Sequence, residues 1–210
     1  MNYVRALSAE YERLFAQTAW VVTAGTGFLG ILLAYAINHS AGIYATIRAG
    51  APLSDALLDI IPRVDTELLH LYGSAGLTVA VLLTIFFLPR YFPFALNGLA
   101  FLIVVRAIFI NMTHLGMYPD AKPFYGSPIT FGGDLFFSGH VAIPFFLALV
   151  FWKHVYLRVF YIACSVILGG SAIIGHYHYS VDSFAATFIA YGIFVIAQTV
   201  FSHAWKFARE

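Results

Sequence analysis

Residues 68–88 read LLHLYGSAGLTVAVLLTIFFL, and after Pro89-Arg90-Tyr91-Phe92-Pro93 residues 94–112 read FALNGLAFLIVVRAIFINM. The first run carries no Asp, Glu, Lys or Arg, and the second carries only Arg106. At 1.5 Å per residue each run reaches about 30 Å as a helix, the hydrocarbon thickness of a bilayer. Outward from this pair the pattern repeats at 19–38, 137–152, 155–174 and 181–201. The fourth run in chain order, 137–152, is short and contains Pro144. The expected fold is therefore all-α: an integral membrane six-transmembrane-helix bundle forming one membrane domain over 1–210.

Composition agrees. Hydrophobic residues make up 61% of the chain and charged residues 10%, whereas a soluble domain carries about 25% charged residues. A net charge of +1 with no basic stripe excludes a nucleic-acid partner. Cys164 is the only cysteine, so no internal disulfide can form. Residues 1–18 place Val4, Leu7, Tyr11, Leu14 and Phe15 at helical spacing beside Arg5, Arg13, Glu10 and Glu12, as in an interfacial helix. The run after it is too long for a signal-peptide core and is expected to remain as the first span.

Lys and Arg outside the spans set the orientation. With the N-terminus inside, Arg5, Arg13, Arg90, Lys153, Arg158, Lys206 and Arg209 fall on the cytoplasmic face and Arg48, Arg63 and Lys122 on the other. This bias predicts N- and C-termini in the cytoplasm.

Polar residues collect at the starts of the fourth and sixth runs. One cluster is Gly132-Gly133-Asp134-Leu135-Phe136-Phe137-Ser138-Gly139-His140, and the other is His176-Tyr177-His178-Tyr179-Ser180-Val181-Asp182. In an alternating bundle the starts of two even-numbered helices share a membrane face, so the clusters can meet. His178 and Asp182 are four apart, a spacing that puts them on one helix face. A carboxylate there keeps one imidazole nitrogen protonated and leaves the other as a nucleophile. Helix starts present unpaired N–H groups that suit phosphate, and Ser138-Gly139 lets the backbone approach it. His140 is then placed to protonate a departing lipid oxygen and later to deprotonate an acceptor.

Arg106, a charge inside a span, is a candidate phosphate clamp or an ion-pair partner of Asp55, Asp59 or Asp134. Asp134 either orients His140 or supports the fourth helix. His176 and Tyr179 complete the candidate head-group set. A metal site from His140, His176, His178 and Asp182 is the lesser alternative by residue type. His39, His70, His114, His154 and His203 are scattered and read as interfacial.

Gly133-Asp134-x-x-Phe137-Ser138-Gly139-His140 and His178-Tyr179-Ser180-Val181-Asp182 resemble the two signature motifs of the sphingomyelin synthases, a branch of the type 2 phosphatidic acid phosphatase (PAP2) superfamily. Pro52-Leu53-Ser54-Asp55 with Asp59 and Arg63-Val64 is similar to the family's first-loop motif, with Ser54 where proline is usual. Arg106-Ala107-Ile108 with Thr113 and Leu115 is similar to the motif ending the third helix. The resemblance implies a PAP2-like six-helix bundle with cytosolic termini, His178 as nucleophile, Asp182 orienting it and His140 as acid and base. It also implies a phosphohistidine-type intermediate, no metal and no cofactor.

The superfamily's lipid phosphatases place an arginine six residues before the HxxxD histidine. Here that position is Ala172, and 165–177 contain no Arg. A phosphodiester suits so lightly charged a pocket better than a phosphomonoester. The expected activity is transfer of phosphocholine or phosphoethanolamine from a glycerophospholipid to ceramide or another lipid alcohol. A lipid phosphatase or phospholipase C-type hydrolase using water is the alternative, and a flippase on the same bundle is a third. The expected partners are membrane lipids, a phospholipid donor and a ceramide- or diacylglycerol-like acceptor. A bacterial inner membrane with the site facing the periplasm is the expected setting, with a eukaryotic lumenal face as the alternative.

Overall fold

The computed structural model describes residues 3–121 and 133–209. Within them the chain forms α1 (Tyr3–Phe15), α2 (Thr18–Ile47), α3 (Glu67–Phe87), a 3-10 turn (Pro89–Tyr91), α4 (Phe92–Thr113), α5 (Gly139–Val150), α6 (Val155–Ile174), α7 (Ser180–Val200) and α8 (Ser202–Arg209). No strand occurs among the described residues. Lys122 and Gly132 lie outside them.

Among the described residues, five helical segments are long and apolar enough to cross a membrane: Thr18–Ile47, Glu67–Phe87, Pro89–Thr113, Val155–Ile174 and Ser180–Val200. Large apolar side chains such as Leu29, Leu33, Val79, Leu82, Val166 and Phe188 stand exposed on their outer faces. In water that surface would be untenable; in lipid it is the expected one. The fold is consistent with a multi-pass membrane protein.

The fourth expected span, 137–152, is shorter than its apolar run. Its helix is α5, of 12 residues, or about 18 Å of rise, well short of the hydrocarbon. Phe137 and Ser138 precede the helix, and the Arg106 side chain donates to the Phe137 and Asp134 carbonyls of this non-helical backbone. Such backbone is tolerated at membrane depth only where protein surrounds it. α5 meets that condition: Val141, Ala142, Pro144, Phe146, Leu147, Ala148 and Val150 are buried, and α4, α6 and α7 pack around it.

Two other boundaries differ. α2 has 30 residues where 20 were expected, and its extra turns carry Thr46 beyond the first apolar run. After α7 the chain forms α8, whose Ala204, Phe207 and Ala208 are buried. α1, the 3-10 turn, the α5–α6 turn and α8 gather at one end of the bundle. There Arg90 pairs with Glu10 at 2.5 Å, Lys153 Nζ donates to Arg209 O at 3.2 Å, and His154 Nε2 lies 3.2 Å from the Tyr91 hydroxyl. The starts of α3, α5 and α7 lie at the other end.

Candidate active site

The α6–α7 turn is tight. Tyr177 N–H and His178 N–H both donate to Ala172 O, at 2.8 and 3.3 Å. α7 is capped by Tyr179, whose N–H donates to Asp182 Oδ2 at 3.0 Å while Asp182 N–H donates back to Tyr179 O at 3.1 Å. The same Asp182 Oδ2 is 3.5 Å from His178 Nδ1, an ion-pair distance at the outer edge of hydrogen bonding. The spacing argument is thus corrected in its geometry. His178 precedes α7 and reaches Asp182 through the capping turn, not along a helix face. Asp182 is fully buried, so its carboxylate can answer only to the groups that line it.

The two polar clusters meet. Ser138 N–H donates to Asp182 O at 3.1 Å, and the His140 and His178 ring centroids are 6.1 Å apart. Ser138 is fully buried, and its hydroxyl has no hydrogen-bond partner among the described residues. Gly139 opens α5, and a Cβ there would sit 3.3 Å from Arg106 Nε. The glycine lets the guanidinium close on the turn.

Arg106 is buried and fully committed. Nε donates to Phe137 O at 2.7 Å, and one terminal nitrogen donates to Asn38 Oδ1 at 3.3 Å. The other donates to Asp134 O at 3.3 Å and lies 2.7 Å from Asp134 Oδ1. Of the alternatives the sequence leaves open for Arg106, the Asp134 ion pair is the one present, and Asp134 supports this turn. Gly133 N–H donates to Thr46 Oγ1 at 3.1 Å, and a Cβ on Gly133 would meet the Ala45 backbone at 2.5 Å. The longer α2 therefore braces this turn through Asn38 and Thr46.

His176 and Tyr179 are occupied by the loops. His176, at a left-handed φ of 60°, has Nδ1 2.6 Å from Asp120 Oδ1 and Nε2 3.2 Å from Ile61 O. The Tyr179 hydroxyl accepts from Leu53 N–H at 3.0 Å and donates to Gly116 O at 2.8 Å; burial pushes its pKa up. Among the described residues no three His, Cys, Asp or Glu side chains converge as metal ligands. His176 is drawn away to Asp120, so the tetrad weighed as a metal site does not assemble.

Two contributors escape a reading by motif role. Asp55 takes two hydrogen bonds on Oδ1, from Leu57 N–H at 2.9 Å and Leu58 N–H at 3.1 Å. It takes two more on Oδ2, from Ser180 N–H at 2.7 Å and the Ser180 hydroxyl at 2.9 Å. Burial alone would raise its pKa, but these donors outweigh burial and hold it below the ordinary value. Asp55 thus ties the first loop to the start of α7. Asp59 serves a neighbouring link, accepting from the Tyr118 hydroxyl at 2.7 Å, which pushes that phenol up to about 12.

The second is His70, corrected from an interfacial histidine to a buried one. Its ring centroid is 3.9 Å from that of His140. The available signal was its place in the first turn of an apolar span whose start shares a face with both clusters.

No curated protein and no solved structure matches the chain. Residues 132–199, which hold α5, α6, nearly all of α7 and both polar clusters, match the family described as PAP2 superfamily C-terminal.

Proposed function

We propose that the protein is a membrane lipid head-group transferase of the sphingomyelin synthase kind, acting on a phosphodiester through His178, Asp182 and His140. PAP2 relationship suggests lipid phosphatase or phosphotransferase chemistry at the coarse level. The observation that carries the finer reading is the pair of imidazoles 6.1 Å apart with a buried carboxylate behind one of them.

Asp182 faces Nδ1 of His178, so Nε2 holds the attacking lone pair. Nε2 bonds to phosphorus as the phosphorus–oxygen bond to the glycerolipid breaks, and His140 gives its proton to the departing oxygen. The acceptor hydroxyl then passes its proton to His140, its oxygen attacks phosphorus, and the phosphorus–nitrogen bond breaks to free His178. Ser138, Gly139, Tyr179, His176, Arg106 and Asp134 shape the turns around the phosphate. Charge favours a diester: 165–177 contain no Arg, and Arg106 is already paired with Asp134. Phosphocholine or phosphoethanolamine is the proposed group, and ceramide or another lipid alcohol the acceptor. Water as acceptor would make the same site a hydrolase.

The deciding assay incubates purified protein with phosphatidylcholine, with and without ceramide, and identifies the lipids formed. A new ceramide-linked phospholipid is expected, and loss of it in His178→Ala. Free phosphocholine with no new sphingolipid would establish the hydrolase instead.

The proposed topology has both termini cytoplasmic and the site on the opposite face, in keeping with Arg5, Arg13, Arg90, Lys153, Arg158, Lys206 and Arg209. An Ile60→Cys protein in a Cys164→Ala background should react with a membrane-impermeant thiol reagent added outside intact cells. Reaction only after lysis would reverse the orientation.

A further inference from the structure

His70 stands in the first turn of α3, is almost completely buried, and lies between two aromatic rings. Its centroid is 3.9 Å from that of His140 and 5.1 Å from that of Tyr177. Its Nδ1 is 3.3 Å from Ser171 Oγ, and the Ser171 hydroxyl is already donating to Leu168 O at 2.8 Å. The serine oxygen can therefore only accept from His70. This sets the neutral tautomer: Nδ1 carries the hydrogen and Nε2 the basic lone pair.

We propose that His70 is a positioning residue for His140: the two imidazoles, tilted against each other in ring contact, hold one proton between them, and this keeps His140 able both to give and to take a proton. The proposal rests on the transfer chemistry assigned above to His140. Two imidazoles in ring contact titrate as a pair, the second proton entering against the charge of the first. In the first half-reaction the proton leaves on His140 for the departing lipid oxygen, and in the second the acceptor's proton returns to His140. His70 gains and loses no proton over the cycle.

The groups around the pair oppose a second proton. His178 faces it from the turn before α7, and Arg106 brings a cation from α4 beside Gly139. Ser171 on α6 offers only an acceptor, and Tyr177 lies against His70 with Arg63 hydrogen-bonded to its phenol. On the turn of His70 itself, Glu67 is the exposed carboxylate; Asp182, behind His178, is engaged by that ring and the Tyr179 N–H.

The test follows the histidine ring carbons by NMR on 13C-histidine protein in detergent, between about pH 3 and 9. The parent should show the His140 resonance moving in two steps, each mirrored in His70. His70→Phe, which keeps a ring in the packing, should leave His140 with a single step, and His140→Phe should do the same for His70. In lipid turnover, His70→Phe should lower kcat by about 10- to 100-fold and move its pH inflection by about one unit, with KM within about twofold. A single-step His140 titration in the parent would overturn the proposal. So would a His70→Phe protein that loses thermal stability and kcat equally at every pH. Coupled titration in a parent that turns over no lipid would instead sink the transferase reading and leave the imidazole pair standing.

Discussion

Asp55→Ala removes the carboxylate through which the first loop is tied to α7. Four donors lose their acceptor: the Leu57 and Leu58 N–H groups within the loop, and the N–H and hydroxyl of Ser180 across it. The first two can turn to water as the loop opens, so the tertiary link is the Ser180 pair. A hydrogen bond to a charged group is worth about 1.5–3 kcal/mol net, and an orphaned buried donor costs a comparable amount. The link is therefore worth about 2–4 kcal/mol, which raises the population of the opened loop by about 30- to 1,000-fold.

Native-state hydrogen exchange read by mass spectrometry on peptides covering 52–61 and 176–183 measures that population directly. Both should exchange faster by that factor, while α2 and α6 keep their protection. The pH dependence has a defined sign. The Asp55 pKa is lowered below the carboxylate value of 3.8, so the stabilisation is fully present above about pH 4 and is lost as pH falls through the lowered value. The thermal-midpoint gap between the parent and Asp55→Asn should be constant from neutral down to mildly acidic pH and close in stronger acid. Exchange in Asp55→Ala within twofold of the parent would refute the tether.

Asp182→Asn should reduce turnover by about 10²- to 10⁴-fold, because the amide cannot stabilise a charged His178, and should shift the thermal midpoint little since an amide oxygen can still cap Tyr179; steady-state kinetics with a melting curve reads both. Arg106→Ala should destabilise by about 3–5 kcal/mol, since Asp134 is then left as a buried charge. The Arg106→Ala, Asp134→Ala double variant should recover part of that loss in thermal unfolding, and additive losses would mean that the pair is not coupled.

Much of the helical framework was legible because bilayer spans are written as uncharged runs: 68–88, 155–174 and 181–201 differ from α3, α6 and α7 by one residue at most. The short α5 was not legible, because Phe136 and Phe137 read as apolar whether they lie in a helix or in buried irregular backbone. The backbone before its start is bonded to Arg106, some 30 residues earlier in the chain. α8 was missed because a two-turn amphipathic segment after a span leaves little periodic signal. That residues 134–140 and 176–182 share one end followed from alternation alone. That His70 joins them did not, since a histidine at a span's edge looks the same facing lipid headgroups or a neighbouring imidazole. For the same reason the loop contacts of His176 and Tyr179 could not be told from head-group contacts.

The brevity of α5 also sets a depth. At its far end the helix is level with the start of α4, where Tyr91 meets His154 and Phe151. Its near end is level with Arg106, seven residues before α4 finishes, or about 10 Å below that rim. In a bilayer this is close to the plane where headgroups give way to acyl chains. In the transfer reaction proposed above, an acceptor alcohol lying at that depth would meet His140 by sideways diffusion. The exchange proposed above would then need neither lipid to leave its leaflet.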